Sequence, residues 1–155
     1  MKVGVISDTH GLLRPQAVEA LEGSDWILHA GDIGSPDIIE QLAAIAPVTA
    51  VRGNNDQHAP WASSIGDVVH QDLNGWHILL VHDIADADPA LKAETRIVIT
   101  GHSHKPRIEW RDGRLYLNPG SAGPRRFKLP VTVAHLWLEG HQPRAELTPL
   151  LDPPG

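Results

Sequence analysis

The sequence predicts an α/β fold in a single domain, on three observations. Short apolar runs alternate with helix-like segments in the first half. Hairpin signals recur in the second half. At 155 residues the chain suits one domain with a substantial core rather than two. The domain is expected over residues 1–150, with a disordered tail over 151–155.

The elements follow in order. Val3 to Ile6 is a short apolar run, as in a strand buried on both faces. Pro15 opens a helix through "QAVEALEG", and Gly23 stops it. Trp26 to His29 is a second strand. Pro36 opens a second helix, "DIIEQLAAIA", which ends before Pro47. Val48 to Val51 is a third strand. Such alternation builds a parallel sheet from βαβ units. Beyond it, "VVHQDLNGWHILLVH" is a hairpin around Asn74-Gly75. A short helix is expected over Pro89 to Glu94, then a strand over Arg96 to Thr100. "RIEWRDGRLYLN" forms a second hairpin at Asp112-Gly113, and "VTVAHLWLEGHQPRAELTPL" a third around Glu139-Gly140. The second half is therefore expected to be antiparallel.

Composition narrows the function. The net charge of −6 gives no basic footprint for non-specific nucleic-acid binding. The absence of cysteine excludes disulfides, thiolate metal sites and a cysteine nucleophile, and it suits a reducing cytoplasm. "KVGVIS" is too short an apolar stretch for a signal peptide, and no run approaches membrane-spanning length. The expected location is cytoplasmic.

Histidine, by contrast, is abundant, and its placement is informative. "ITGHSHKP" puts His102 and His104 just past a strand. The first strand is followed by Asp8 and His10, the second by Asp32, the third by Asn54. The first hairpin ends at His82. In α/β sheets ligands bind at the carboxyl ends of strands. Residues two apart in extended chain face one side, so Asp8 pairs with His10 and His102 with His104. Gly31, Gly53 and Gly101 permit close backbone approach. Two aspartates, four histidines and an asparagine suit Mn, Fe, Zn, Ni or Co ions. One aspartate shared by two cations would give a two-metal centre.

These motifs resemble the calcineurin-like metallophosphoesterase superfamily. They read "DTH" at Asp8 to His10, "GD" at Gly31-Asp32, "GNND" at Gly53 to Asp56, "VHD" at Val81 to Asp83 and "GHSH" at Gly101 to His104. The short length and "NPGS" at Asn118 to Ser121 are similar to the small bacterial and archaeal phosphodiesterases of the YfcE type. The resemblance implies a sandwich of two mixed β-sheets flanked by α-helices. It implies two divalent metal ions, with manganese first among them. Asp8, His10, Asp32 and His104 would bind one; Asp32, Asn54, His82 and His102 the other, with Asp32 as bridge. Catalysis would then run through Asp32, Asn54 and His82 by way of the metals and a hydroxide between them. The substrate would be a small phosphodiester, nucleotide-derived in one version, and the family suggests a homodimer.

Two positions depart from the pattern. Larger members carry a histidine after the GN asparagine as a candidate general acid, and small members often a cysteine; here it is Asn55, whose neutral amide is no proton donor. The lone-histidine motif is usually H-G; here it is His82-Asp83, whose carboxylate would orient a ligand or repel an anion. Good leaving groups are accordingly expected. Arg52 and Lys105 adjoin the motifs and are candidates to hold phosphate, a solvent-exposed role being an equal reading of each. Asp56 fits a hydrogen bond supporting the ligands or a plain turn. His29, His58, His70, His77, His135 and His141 are assigned no role. One retromer subunit shares the implied fold and serves chiefly as an interaction scaffold, so a metal-binding scaffold with little activity is the alternative.

Overall fold

The computed structural model describes residues 1–152. Ten strands form two five-stranded mixed sheets. The first has the order β10 (Arg144–Pro149), β9 (Thr132–Trp137), β1 (Lys2–Ile6), β2 (Trp26–His29), β3 (Val48–Ala50). The second has the order β4 (Val68–Leu73), β5 (Trp76–Val81), β6 (Thr95–Ile99), β8 (Arg114–Asn118), β7 (Arg107–Arg111). Helices α1 (Pro15–Leu21) and α2 (Pro36–Ala43) cover the outer face of the first sheet, and the short α3 (Ala87–Ala90) covers the second.

The layering follows from side-chain alternation. Val3 and Val5 of β1 point between the sheets, where they meet Ile78, Leu80, Ile97 and Ile99. Ile6 and Ile27 point outward to Leu21 and Leu42 of the two helices. Leu79 and Val98 point the other way, under α3. Both faces of the central strands are covered, which is why they read as unbroken apolar runs. Helix α2 starts where Pro36 sets the first turn, and Ser35 Oγ accepts the Asp37 amide at 3.2 Å. Asn74-Gly75 and Asp112-Gly113 turn with positive φ at both residues, as tight hairpins require.

Three expectations change. The second half is not simply antiparallel: β5, β6 and β8 run parallel. The last hairpin leaves its neighbours and pairs antiparallel with β1, extending the first sheet. The helix expected over Pro89 to Glu94 instead occupies Ala87–Ala90, after a single 3-10 turn over Ile84–Asp86. Asp83 caps that turn by accepting the Ala85 amide at 3.0 Å, so the helical segment begins straight after β5. Pro89 then falls in the first turn, where a missing N–H costs nothing. Of the expected tail, residues 153–155 lie outside the described residues; Asp152 accepts a hydrogen bond from Arg125 at 2.8 Å through its carbonyl.

Gly4 fixes how closely α1 approaches the first sheet. A methyl there would lie 2.5 Å from Leu21 Cδ2 and 2.9 Å from Ser24 Oγ, and Leu21 is fully buried. Gly4→Ala should lower unfolding stability by about 1–3 kcal/mol, measured by urea denaturation.

Candidate metal centre

The parallel strands deliver their polar ends to one edge. Asp8 and His10 follow β1, Asp32 follows β2, Asn54 follows β3, His82 follows β5, and His102 and His104 follow β6. Asp8, His10, Asp32, His102 and His104 all have positive φ, between 47° and 70°. That backbone is uncommon for residues with a Cβ, and such outliers gather at functional sites. The reason Asp8 and His10 converge is therefore left-handed backbone, not the alternation of extended chain. His102 and His104 share that backbone but part company, against the expectation that they face one point: His104 Nε2 lies 3.4 Å from Asp8 Oδ1 and His102 Nε2 3.8 Å from Asp83 Oδ2.

The loops after β1 and β2 run side by side. The Asp8 amide donates to the Gly31 carbonyl at 3.0 Å, and the His10 amide to the Asp32 carbonyl at 2.9 Å. Asp56 accepts the amides of Ile33, Gly34 and Gly53 at 2.9, 3.1 and 3.0 Å. Its single buried carboxylate thus ties the Asp32 loop to the Asn54 loop. Gly53 and Gly101 are required by close approach: a Cβ would fall 2.1 Å from Asp32 Oδ1 at one and 2.1 Å from Ser7 Oγ at the other.

Each aspartate has one committed oxygen and one aimed inward. Asp8 Oδ2 accepts from the Ser7 hydroxyl at 2.7 Å and the His102 amide at 3.2 Å. Its Oδ1 has no hydrogen-bond partner. Three imidazole Nε2 atoms surround it: His104 at 3.4 Å, His82 at 3.8 Å and His10 at 3.9 Å. Asp32 Oδ1 accepts the Asn55 amide at 2.9 Å, while Oδ2 lies 3.2 Å from His82 Nε2 and 3.7 Å from His10 Nε2. His82 Nδ1 donates to the Ala30 carbonyl at 2.7 Å, which turns the lone pair of Nε2 to the centre. Two acceptors 3.2 Å apart need a positive charge between them, a proton or a cation.

Two compact groups of metal-ligating type result: Asp8, His10 and His104, and Asp8, Asp32 and His82. Asp8 is common to both; Asp32 reaches His10 and His82. His102 lies outside these groups of carboxylate and imidazole, and Asn54 lies beside it. They join His82 around an adjoining cavity of about 120 Å³. His102 Nε2 is 3.8 Å from Asp83 Oδ2, so the extra carboxylate faces that histidine as well as capping its own turn. Arg52 borders the same cavity, with its guanidinium engaged by Asp67 through two 2.9 Å hydrogen bonds. The Asn55 side chain contacts His10 Nδ1 at 3.4 Å.

Electrostatics follow from this packing. Burial works to raise the Asp8 carboxyl, but the His104 imidazole facing it, the Ser7 hydroxyl and the charge of His82 outweigh that, so it stays below its ordinary value. Burial likewise opposes ionisation of Asp32, and His82 with the Asn55 amide reverses the sign. For His82, burial pulls down while Asp32 and the Ala30 carbonyl push up harder, and its pKa rises. The two carboxylates therefore stay ionised and His82 holds its proton to higher pH than a free imidazole.

Several supporting residues lie beyond the candidate ligands, and of these only Asn118 and Ser121, which bound the NPGS motif, carry a signal in sequence. Ser7 holds Asp8. Asn118 donates to the Gly101 carbonyl at 3.0 Å and so fixes the GHSH loop from β8. Ser121 donates to the Asp8 carbonyl at 3.0 Å. His29 is fully buried behind the centre: its Nδ1 accepts the Gly31 amide at 3.1 Å, so Nε2–H faces Thr9 Oγ1 at 3.1 Å. The only sequence clue to Ser7 and His29 is that one flanks a motif and the other ends a strand.

The model of the "Calcineurin-like phosphoesterase superfamily domain" matches residues 1–141, and the chain belongs to that superfamily. It is a phosphoester hydrolase by that membership. A probable metallophosphoesterase of Methanothermobacter thermautotrophicus is 33% identical over 162 residues, covering 95% of this chain and 91% of the relative. The phosphodiesterase YfcE of Escherichia coli K12 is 26% identical over 166 residues, covering 88% and 87%. The solved structure of a novel archaeal phosphodiesterase superposes with a TM-score of 0.77 at 26% identity, covering 96% of this chain and all of the other. The two-sheet architecture implied by the motifs is thus the one observed. Among the described residues no helix is long and apolar enough to cross a membrane.

Two predictions arise. Full burial depresses the His29 pKa from 6.5 to about 4. The unfolded chain therefore takes up a proton that the native state refuses, and stability is lost as pH falls from 6.5 towards 4. The full loss is about 3 kcal/mol. Urea titrations in chelator across that window should show a shallower decline for His29→Asn than for the wild type. Second, cation binding should expel protons from the His82 region. Calorimetric titration with Mn²⁺ at neutral pH, in buffers of different ionisation enthalpy, should show net proton release that shrinks in His82→Asn.

Proposed function

We propose that the chain is a phosphodiesterase that works with two divalent cations, manganese foremost, held by Asp8, His10, Asp32, Asn54, His82, His102 and His104. The observation that supports it best is the convergence of three of the buried atoms without partners: His10 Nε2 and His82 Nε2 lie 3.9 and 3.8 Å from Asp8 Oδ1. Structural side chains rarely leave such atoms without partners. The donor set of oxygen and imidazole nitrogen suits Mn, Fe, Zn, Ni or Co. A metal-binding scaffold with little activity would use the same atoms, and turnover separates the two readings.

When bound, the cations supply Lewis-acid polarisation of the phosphoryl group and a nucleophilic water at neutral pH. The chain supplies placement. Asp8 and Asp32 cancel part of the cationic charge and leave the remainder for an anionic diester. Asn54 and His102, at the cavity side, face the entering phosphate. In the overall reaction water adds to phosphorus, and the leaving oxygen departs with the electrons of the broken P–O bond. That oxygen needs a proton unless it is stable as an anion. Asn55, beside His10, offers none. The substrate is a small diester, nucleotide-derived, and the cysteine-free composition accords with a cytoplasmic protein.

With Mn²⁺ present, aryl diesters should turn over at least a hundredfold faster than alkyl diesters, and Asn55→His should narrow that gap; equal rates for the two classes contradict the role given to Asn55. His102→Ala should reduce bound metal, measured by elemental analysis, as well as activity. Full metal occupancy with no hydrolysis of any diester would favour the scaffold alternative.

A further inference from the structure

The loop over Pro124 to Pro130, "PRRFKLP", is not used by the chemistry above. Its base is fixed to the metal centre. Ser121 donates to the Asp8 carbonyl, Arg14 donates to the Gly123 carbonyl at 3.2 Å, and Ser121 bridges Val131 to close the loop. A Cβ at Gly123 would collide with the carbonyls of Asp8 and Thr9, so the loop sits directly on the segment carrying Asp8 and His10.

The tip breaks two rules at once. Phe127 is the only phenylalanine in the chain, and it is 89% exposed. Its φ is +53°, a left-handed conformation that costs a side-chain-bearing residue about 1–2 kcal/mol. That backbone belongs to a turn closed by the Leu129 amide donating to the Arg126 carbonyl at 3.1 Å, and the turn presents the ring to solvent. The charges beside it run against a chain of net charge −6. Among the described residues, lysine and arginine side-chain ion pairs engage Arg52, Arg107 and Arg144; Lys105, Arg126 and Lys128 are among the ten cations without a carboxylate, and these three cluster around the loop tip. Arg126 lines two cavities. One, of about 320 Å³, opens onto His10 and His104; the other, of about 480 Å³, is lined by Lys105, Phe127 and Lys128. A ligand with one phosphate at the metal centre can extend past Arg126 to the aromatic ring.

We infer that this loop is a specificity element for a free nucleotide bearing a second phosphate, with the base stacked on Phe127 and the additional phosphate held by Arg126 with Lys105 or Lys128. This deepens the phosphodiesterase reading and rests on it for the scissile phosphate. Base stacking on an aromatic side chain and phosphate neutralisation by unpaired cations are the interactions that these residue types offer together. A nucleic-acid strand is disfavoured, because the overall charge would repel the flanking phosphates.

The test uses Mn²⁺-loaded protein and two diesters sharing one leaving group: methyl p-nitrophenyl phosphate, and the p-nitrophenyl 5′-ester of thymidine 3′,5′-bisphosphate. Phe127→Ala and Arg126→Ala should each raise KM for the nucleotide ester about tenfold, the low end of what stacking or a charge-assisted contact supplies. Each should leave kcat/KM for the methyl ester within twofold. Loss on both esters alike, or on neither, overturns the inference. Calorimetric binding of thymidine 3′,5′-bisphosphate is measured in parallel. If neither ester is hydrolysed, the phosphodiesterase reading fails, while weaker bisphosphate binding by the two variants still upholds the loop; unchanged binding overturns it. A short thymidylate oligomer that competes more tightly than the bisphosphate overturns the free-nucleotide assignment in favour of a strand end.

Discussion

Two buried carboxylates share a small volume, and the rest of the structure is arranged around that fact. Asp8 is inaccessible to solvent and Asp32 nearly so. Charges in such a place persist only when they are hydrogen-bonded and neutralised. One oxygen of each is satisfied by the protein: Ser7 and the His102 amide for Asp8, the Asn55 amide for Asp32. The other oxygen of each is left for the imidazoles and for whatever positive charge lies between. The left-handed backbone at five of the candidate ligands, and the glycines pressed against Asp32 and Ser7, are consequences of bringing five loops to this one edge.

A second set of interactions keeps that point in place, and it is polar rather than apolar. Asp56 joins two loops through three amides. Asn118 holds the GHSH turn from a strand that contributes no ligand. His29, neutral and fully buried, props the turn at Gly31 through a defined tautomer. Each of these groups is satisfied within the protein, whereas the inward atoms of the centre are not. That contrast separates support from function more clearly than burial does, since Asp8 and His29 are equally inaccessible.

The loop at Pro124 to Pro130 extends the same logic outward. Its base belongs to the centre through Ser121 and Gly123, so anything that contacts its tip is registered against the ligands. The tip is closed by one internal hydrogen bond, from the Leu129 amide to the Arg126 carbonyl, which fixes its turn but leaves Phe127 exposed. Family membership accounts for the centre and for hydrolysis of a phosphoester; the tip bears on which ester.

Much of this was legible before any coordinates. Binary patterning and turn chemistry identified nearly every strand, because alternation, proline and Asn-Gly or Asp-Gly pairs act over a few residues. The motif order located the seven candidate ligands, because strand ends are where parallel sheets present polar side chains. What sequence could not show was pairing across distance. Nothing in "VTVAHLW" says that it lies antiparallel to β1 rather than beside the preceding hairpin; that choice rests on the fit of Val133, Ala134 and Leu136 into two separate cores. Nor could it show the left-handed backbone at Asp8 and His10, the tie made by Asp56, or the outward turn of Phe127. Residue types and short-range pattern are properties of the chain, whereas distances between loops are set only once two sheets have packed and fixed where every strand ends.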